Sequence, residues 1–221
     1  MERQSSEPVK RINYIVVILA VMYAVGVAGH LIDATYNLML LLTPFTLLFT
    51  GSLVLYEIRK DINTAFIKWI VITFAFTFLL EVAGVATGLI FGSYKYGDTL
   101  GLKLFEVPLI IGFNWTLVIL GGMKSGMKLK LNKHLQVLLA AVFTVMFDYV
   151  LEPLAIRFDY WTWEGGAIPL QNYIAWFIIS YISGYLYHFF KVKVESRVPL
   201  YYILFQLHFF IFINIGLKAG L

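Results

Sequence analysis

Five carboxylic acids stand near or inside long apolar runs of this chain: Asp33, Glu81, Glu106, Asp148 and Glu152. An acid at the centre of a membrane helix costs about 2.5–3.5 kcal/mol on insertion scales, so an ionisable group kept there is a functional candidate by default. Asp148 and Glu152 are four residues apart, which on a helix puts both on one face, a turn from each other. Glu81 precedes Gly84, Gly88 and Gly92, offsets at which acid and glycines share a helical stripe. Small residues so spaced let a neighbouring helix approach closely, and helix packing is their plain reading. Burial and crowding both disfavour charge on a carboxyl, so at least one of the acids is expected to carry its proton at neutral pH.

The elements that must hold these acids are membrane helices. Of 221 residues, 60% are apolar and only 14% charged, with 19 Phe and 14 Tyr, and the mean hydropathy is +0.81. A soluble domain has about 45–50% apolar and about 25% charged residues, so the bilayer is the expected solvent. The net charge of +4 is therefore no nucleic-acid signal, and with no Cys there is no disulfide, thiolate nucleophile or Cys metal site. Runs long enough to cross about 30 Å of hydrocarbon fall near residues 12–32, 36–56, 65–92, 105–122, 135–156, 171–190 and 199–217. The links are short, so an all-α, polytopic bundle of about seven transmembrane helices is expected. It would form a single domain over 12–217, with a short cytoplasmic segment at 1–11 and a short tail at 218–221.

Cations set the expected orientation. Arg3, Lys10, Arg11, Arg59, Lys60, Lys68, Lys124, Lys128, Lys130, Lys133, Lys191, Lys193 and Arg197 fall on one side, and Lys95, Lys103, Arg157 and Lys218 on the other. That asymmetry puts the N-terminus inside and the C-terminus outside a cell membrane, with the acids at or towards the outer half.

The outer segments are rich in aromatics. FGSYKYGDTLG carries Phe91, Tyr94 and Tyr96, and RFDYWTWEGGAIPLQNYIAW carries Tyr160, Trp161, Trp163, Tyr173 and Trp176 beside Asn172. One reading is an interfacial aromatic belt. The other is a pocket for a long apolar substrate whose reacting end becomes cationic, since aromatic faces stabilise a cation. Asn114 and Trp115 add an amide and an indole that need partners inside the bundle. His30, His134, His188 and His208 do not share a level, which argues against bis-histidine haem, and His208 is expected to bond a neighbouring helix. Run seven has no Lys before Lys218, so a retinal-type Schiff base is unsupported.

Glu81–Trp115 (EVAGVATGLIFGSYKYGDTLGLKLFEVPLIIGFNW) and Asp148–Phe177 (DYVLEPLAIRFDYWTWEGGAIPLQNYIAWF) resemble the membrane carotenoid hydratases of microbial carotenoid pathways, of the carotenoid 1,2-hydratase and bisanhydrobacterioruberin hydratase type. The motifs are an acid with glycines, F-G-x-Y-x-Y, V-P-L-x-I-G-x-x-W, D-x-x-x-E-P and a W-x-W before I-P. The resemblance implies addition of water across the terminal C1=C2 bond of an acyclic carotenoid, giving a tertiary 1-hydroxy end. That reaction needs an acid to protonate C2, surroundings that tolerate a cation at C1, and a base that delivers water. Glu81, Asp148 and Glu152 are the candidate acid–base set, followed by Glu106 and Asp33. Tyr94, Tyr96, Trp115, Trp161 and Trp163 are expected to line the pocket, and Asn114 and Asn172 to orient water.

No cofactor or metal is expected. The expected partners are the carotenoid, water and the bilayer, with room for association with other enzymes of the pathway and no nucleic acid. Two rivals share much of the pattern. A lycopene-cyclase-like isoprenoid enzyme would begin with the same protonation and trap the cation by an internal double bond. A proton-coupled transporter would use the acids as a relay, although such proteins usually show internal repeats and acids spread across the membrane.

Overall fold

The structure is a computed structural model and describes residues 13–220. The cations Arg3, Lys10 and Arg11 and the expected segment 1–11 lie outside the described residues. Seven helices follow in order: α1 (Tyr14–Leu31), α2 (Asp33–Glu57), α3 (Thr64–Thr87), α4 (Leu109–Lys128), α5 (Lys133–Arg157), α6 (Leu170–Phe189) and α7 (Val198–Lys218). Six of them, all but α6, are long and apolar enough to cross a membrane. α6 carries Gln171 and Asn172 in its first turn, which lowers its hydropathy, and it lies along α5.

Local signals explain the helix starts. The side-chain oxygens of Asn13, Asn63 and Asn132 accept from the first free backbone N–H groups of α1, α3 and α5, at 3.0 Å from Ile15, Phe66 and Leu135. Such caps satisfy donors that the helix itself leaves orphaned. Asn13 also donates from Nδ2 to Glu57 Oε1 at 2.8 Å, which ties the start of α1 to the end of α2.

α4 is the central helix. Of its most apolar stretch 72% is buried inside the protein, against 17% for α1, and it packs on α2, α3, α5 and α7. α1 and α2 are peripheral and turn Val21, Val25, Leu41 and Phe45 outward, the lipid-facing surface of a polytopic bundle.

Several expected boundaries shift. The third run was expected to stay helical to residue 92, but α3 stops at Thr87, where Gly88 takes a left-handed φ of 68°. Gly92 is also in the positive-φ region, at 105°. Neither therefore belongs to a helical stripe with Glu81, and only Gly84 does. α4 begins at Leu109 rather than 105, because β2 (Lys103–Leu104) and β3 (Val107–Pro108) form a small hairpin whose turn residues Phe105 and Glu106 have φ of 51° and 63°. α4 also continues past 122 to Lys128, and buried Lys124 donates to the carbonyls of Val194 and Glu195 in the α6–α7 link. Asp33 opens α2 instead of ending α1. His208 is exposed and its Nδ1 lies 2.6 Å from Leu204 O of its own helix, not a neighbour's.

The aromatic segments around Tyr94 and Trp161 are not plain loops. β1 (Tyr94–Tyr96) and β4 (Trp161–Trp163) pair antiparallel, with Tyr94 opposite Trp163 and Tyr96 opposite Trp161. This two-stranded ribbon packs through β4 against α5.

Candidate active site

Side chains alternate across a strand, and here the alternation is selective. Tyr94, Tyr96, Trp161 and Trp163 are buried beneath the ribbon, while Lys95 is exposed. Opposed pairs bring the rings together, with centroids 5.0 Å apart for Tyr94 and Trp163 and 5.9 Å for Tyr96 and Trp161. The two halves of the ribbon serve different acids. Tyr94 and Tyr96 both donate to Glu81 Oε2, the latter at 2.7 Å. Trp161 and Trp163 donate their indole N–H groups to Glu152 Oε2 at 3.1 and 2.9 Å. Burial, and the Glu81 carboxyl beside them, push both phenols well above their ordinary range, so they remain O–H donors.

Asn172, in the first turn of α6, joins the two acids of α5. Its Nδ2 donates to Asp148 Oδ2 at 2.6 Å and to Glu152 Oε1 at 3.3 Å. Glu81, Asp148 and Glu152 are exposed by only 3%, 1% and 1%, and among the described residues no cation pairs with any of them. Among the described residues the single ion pair joins Lys103 to Asp98, at 2.8 Å. Three buried carboxyls are thus held by phenols, indoles and an amide. Neutral donors stabilise a carboxylate without cancelling its charge.

The three acids line a pocket of about 10 Å³ with Asn172, Phe91 and six Tyr and Trp side chains. That is room for about one water molecule. Trp176 and Trp115 stack at 3.9 Å, Phe91 lies on Trp176 at 5.5 Å, and Phe147 meets Trp115 edge-on at 5.9 Å. Ring faces so gathered attract a cation through their quadrupoles.

Next to this pocket lies a chamber of about 320 Å³ between α1, α2, α4 and α7, walled largely by apolar residues such as Leu42, Leu47, Ile111 and Phe209. Trp115 and Trp161 belong to both walls. Val21 and Val25, also in the lining, are 56% and 59% exposed on the lipid side, so the chamber borders the bilayer. Its volume is at the lower end of that of small-molecule sites.

The structure thus brings together Glu81, Asp148, Glu152, Tyr94, Tyr96, Trp115, Trp161, Trp163 and Asn172. It separates three other candidates. Glu106 is exposed in the β2–β3 turn, Asp33 is exposed at the start of α2, and neither lines the pocket or the chamber. Asn114 lines the chamber instead, because one residue on a helix turns a side chain through about 100° away from Trp115, and it accepts from Tyr202 and Gln206. Trp176 and Phe91 were legible only as rim aromatics. The signal for Trp176 was its position one turn after Asn172, on the same face of α6.

A protein family described as "Carotenoid biosynthesis protein" matches the chain over residues 37–220. The curated bisanhydrobacterioruberin hydratase of Haloarcula japonica is 28% identical over 129 residues, which cover 52% of this chain and 42% of that protein. The chain therefore spans less than half the length of this relative. No solved structure matches.

Proposed function

Because the chain belongs to the carotenoid biosynthesis protein family, we propose that it is a carotenoid hydratase. It adds water across the terminal C1=C2 bond of an acyclic end group to give a tertiary alcohol. The observation that carries this reading is the pocket itself, in which three buried carboxyls without a cation share a water-sized space walled by aromatic faces. The relative's name points the same way.

Roles follow from the hydrogen bonds. Glu152 receives three N–H groups, from Trp161, Trp163 and Asn172, which have protons only to give. It is the fixed carboxylate that stabilises the cation. Among the described residues Asp148 accepts only from Asn172, so it is the acid least compensated as an anion and serves as the proton donor. Its O–H proton passes to C2, and the π electrons of the double bond form the new C–H bond. The cation left at C1 lies against the aromatic walls. Water attacks C1, and the proton it releases goes to Glu81, whose two phenol neighbours can reorient as its charge changes. Passage of that proton from Glu81 back to Asp148 restores both acids and closes the cycle, and the net change is alkene plus water giving alcohol. The apolar chamber beside Trp115 and Trp161 accommodates the adjoining part of the substrate.

Expression in cells that accumulate an acyclic carotenoid tests the reading. The expected result is a more polar pigment heavier by one water. An isomer of unchanged mass would replace hydration with cyclisation, and unaltered acyclic pigments in cells that hold the inserted protein would count against a carotenoid end-group reaction.

A further inference from the structure

The larger chamber carries two buried acceptors that accept nothing. His30 Nδ1 lies 2.7 Å from the Gly26 carbonyl oxygen. A carbonyl only accepts, so Nδ1 bears the proton and Nε2 of the neutral ring is an acceptor. Nε2 is buried and has no partner among the described residues. Gln206 donates from Nε2 to Asn114 Oδ1 at 3.1 Å, and the same oxygen accepts from Tyr202 at 3.0 Å. That arrangement leaves Gln206 Oε1 buried and equally unpartnered.

Both residues line the chamber and are exposed by only 7% and 1%. They flank one ring: Phe209 meets His30 edge-on at 5.2 Å, and Gln206 lies about one turn earlier on α7. Orphaned acceptors in an apolar space are costly until a donor reaches them. Among the described residues no acid and no Lys or Arg lines the chamber, so neither an anion nor a metal cation matches the wall. A neutral, largely apolar molecule with an O–H group does.

We propose that the chamber is an alcohol-binding subsite. It receives the hydroxyl-bearing isoprenoid end after hydration, with the O–H donating to Gln206 Oε1 or His30 Nε2. The identity of the alcohol rests on the hydratase reading above. Acids that protonate the alkene also catalyse the reverse loss of water, by microscopic reversibility. A product drawn past Trp115 and Trp161 into a chamber with no acid is out of their reach, so the subsite shifts the enzyme-bound equilibrium towards the alcohol while the overall equilibrium is unchanged.

The test uses full-length protein carrying Asp148→Asn, so that the ligands are not interconverted. Two probes are compared by quenching of tryptophan fluorescence: an acyclic polyene hydrocarbon, and the same molecule with a terminal tertiary hydroxyl. The alcohol is expected to bind about tenfold more tightly. Gln206→Met and His30→Phe should each reduce that preference, read as the ratio of the two affinities, by roughly three- to tenfold. Equal binding of the two probes, or a preference that survives in both variants, overturns the proposal. If both variants lose hydrocarbon binding as well, the ratio in the parent protein decides. Failure of the hydratase reading is separately visible, because it would remove the hydrated pigment in cells without altering this binding preference.

Discussion

Asp148→Asn is expected to lower turnover by about 10²–10⁴-fold, the usual weight of a positioned acid or base, and Glu81→Gln to do the same from the other side of the pocket. Asn is nearly isosteric with Asp and can still accept from Asn172, whose Nδ2 lies 2.6 Å from Asp148 Oδ2. Gln at residue 81 likewise keeps a carbonyl oxygen for Tyr94 and Tyr96. Both changes remove an ionisable group from a buried site and leave its volume intact, so insertion and abundance should be unaffected. The pigment assay run beside an immunoblot of the membrane fraction separates the two effects. Wild-type conversion by both variants would remove the carboxyls from the mechanism.

The second large effect is expected at a residue with no chemistry of its own. Gly84 lies one turn after Glu81 on α3, and a Cβ there would sit 2.5 Å from the Phe91 ring and 3.4 Å from the Tyr94 hydroxyl. Gly84→Val therefore displaces Phe91 and pushes Tyr94 off Glu81, while the β1–β4 ribbon carries the disturbance to Trp163. A misplacement of about 1 Å at a reacting centre costs on the order of 10²-fold. Ala86→Val, two residues on and on the exposed side of the same helix, should leave activity unchanged. Equal activity in the two variants would mean that the ribbon does not set the geometry of the acids.

These two predictions draw on different depths of the sequence. The helices were legible because apolar length is a strong signal and the links are short, and the acids were legible because carboxyls are expensive inside a bilayer. The stretch from Gly88 to Pro108 departs from this pattern. Hydropathy there is high enough to prolong two helices, whereas the backbone turns at Gly88, Gly92, Phe105 and Glu106 through positive φ. Glu106 thereby left the site.

The ribbon was not legible at all. Its strands are three residues long and come from distant parts of the chain, and only the pairing shows why alternate residues in Y-K-Y and W-T-W are aromatic. Asn114 illustrates a finer failure: its residue type suited the acid pocket, but its position on α4 turns it into the chamber with Gln206 and Tyr202. The polar side chains His30, Asn114 and Gln206 of the chamber wall stand on separate helices, α1, α4 and α7, and each alone reads as ordinary helix packing.

The most direct measurement of the central claim is conversion of an acyclic carotenoid by the purified protein in deuterated water that is also labelled with heavy oxygen. Protonation by a carboxyl followed by capture of water predicts one deuterium on the carbon beside the new C–OH, kept after washing in ordinary water, and the heavy oxygen in the hydroxyl. A hydroxylated product with no deuterium on carbon, or with oxygen from another source, would contradict acid-catalysed hydration.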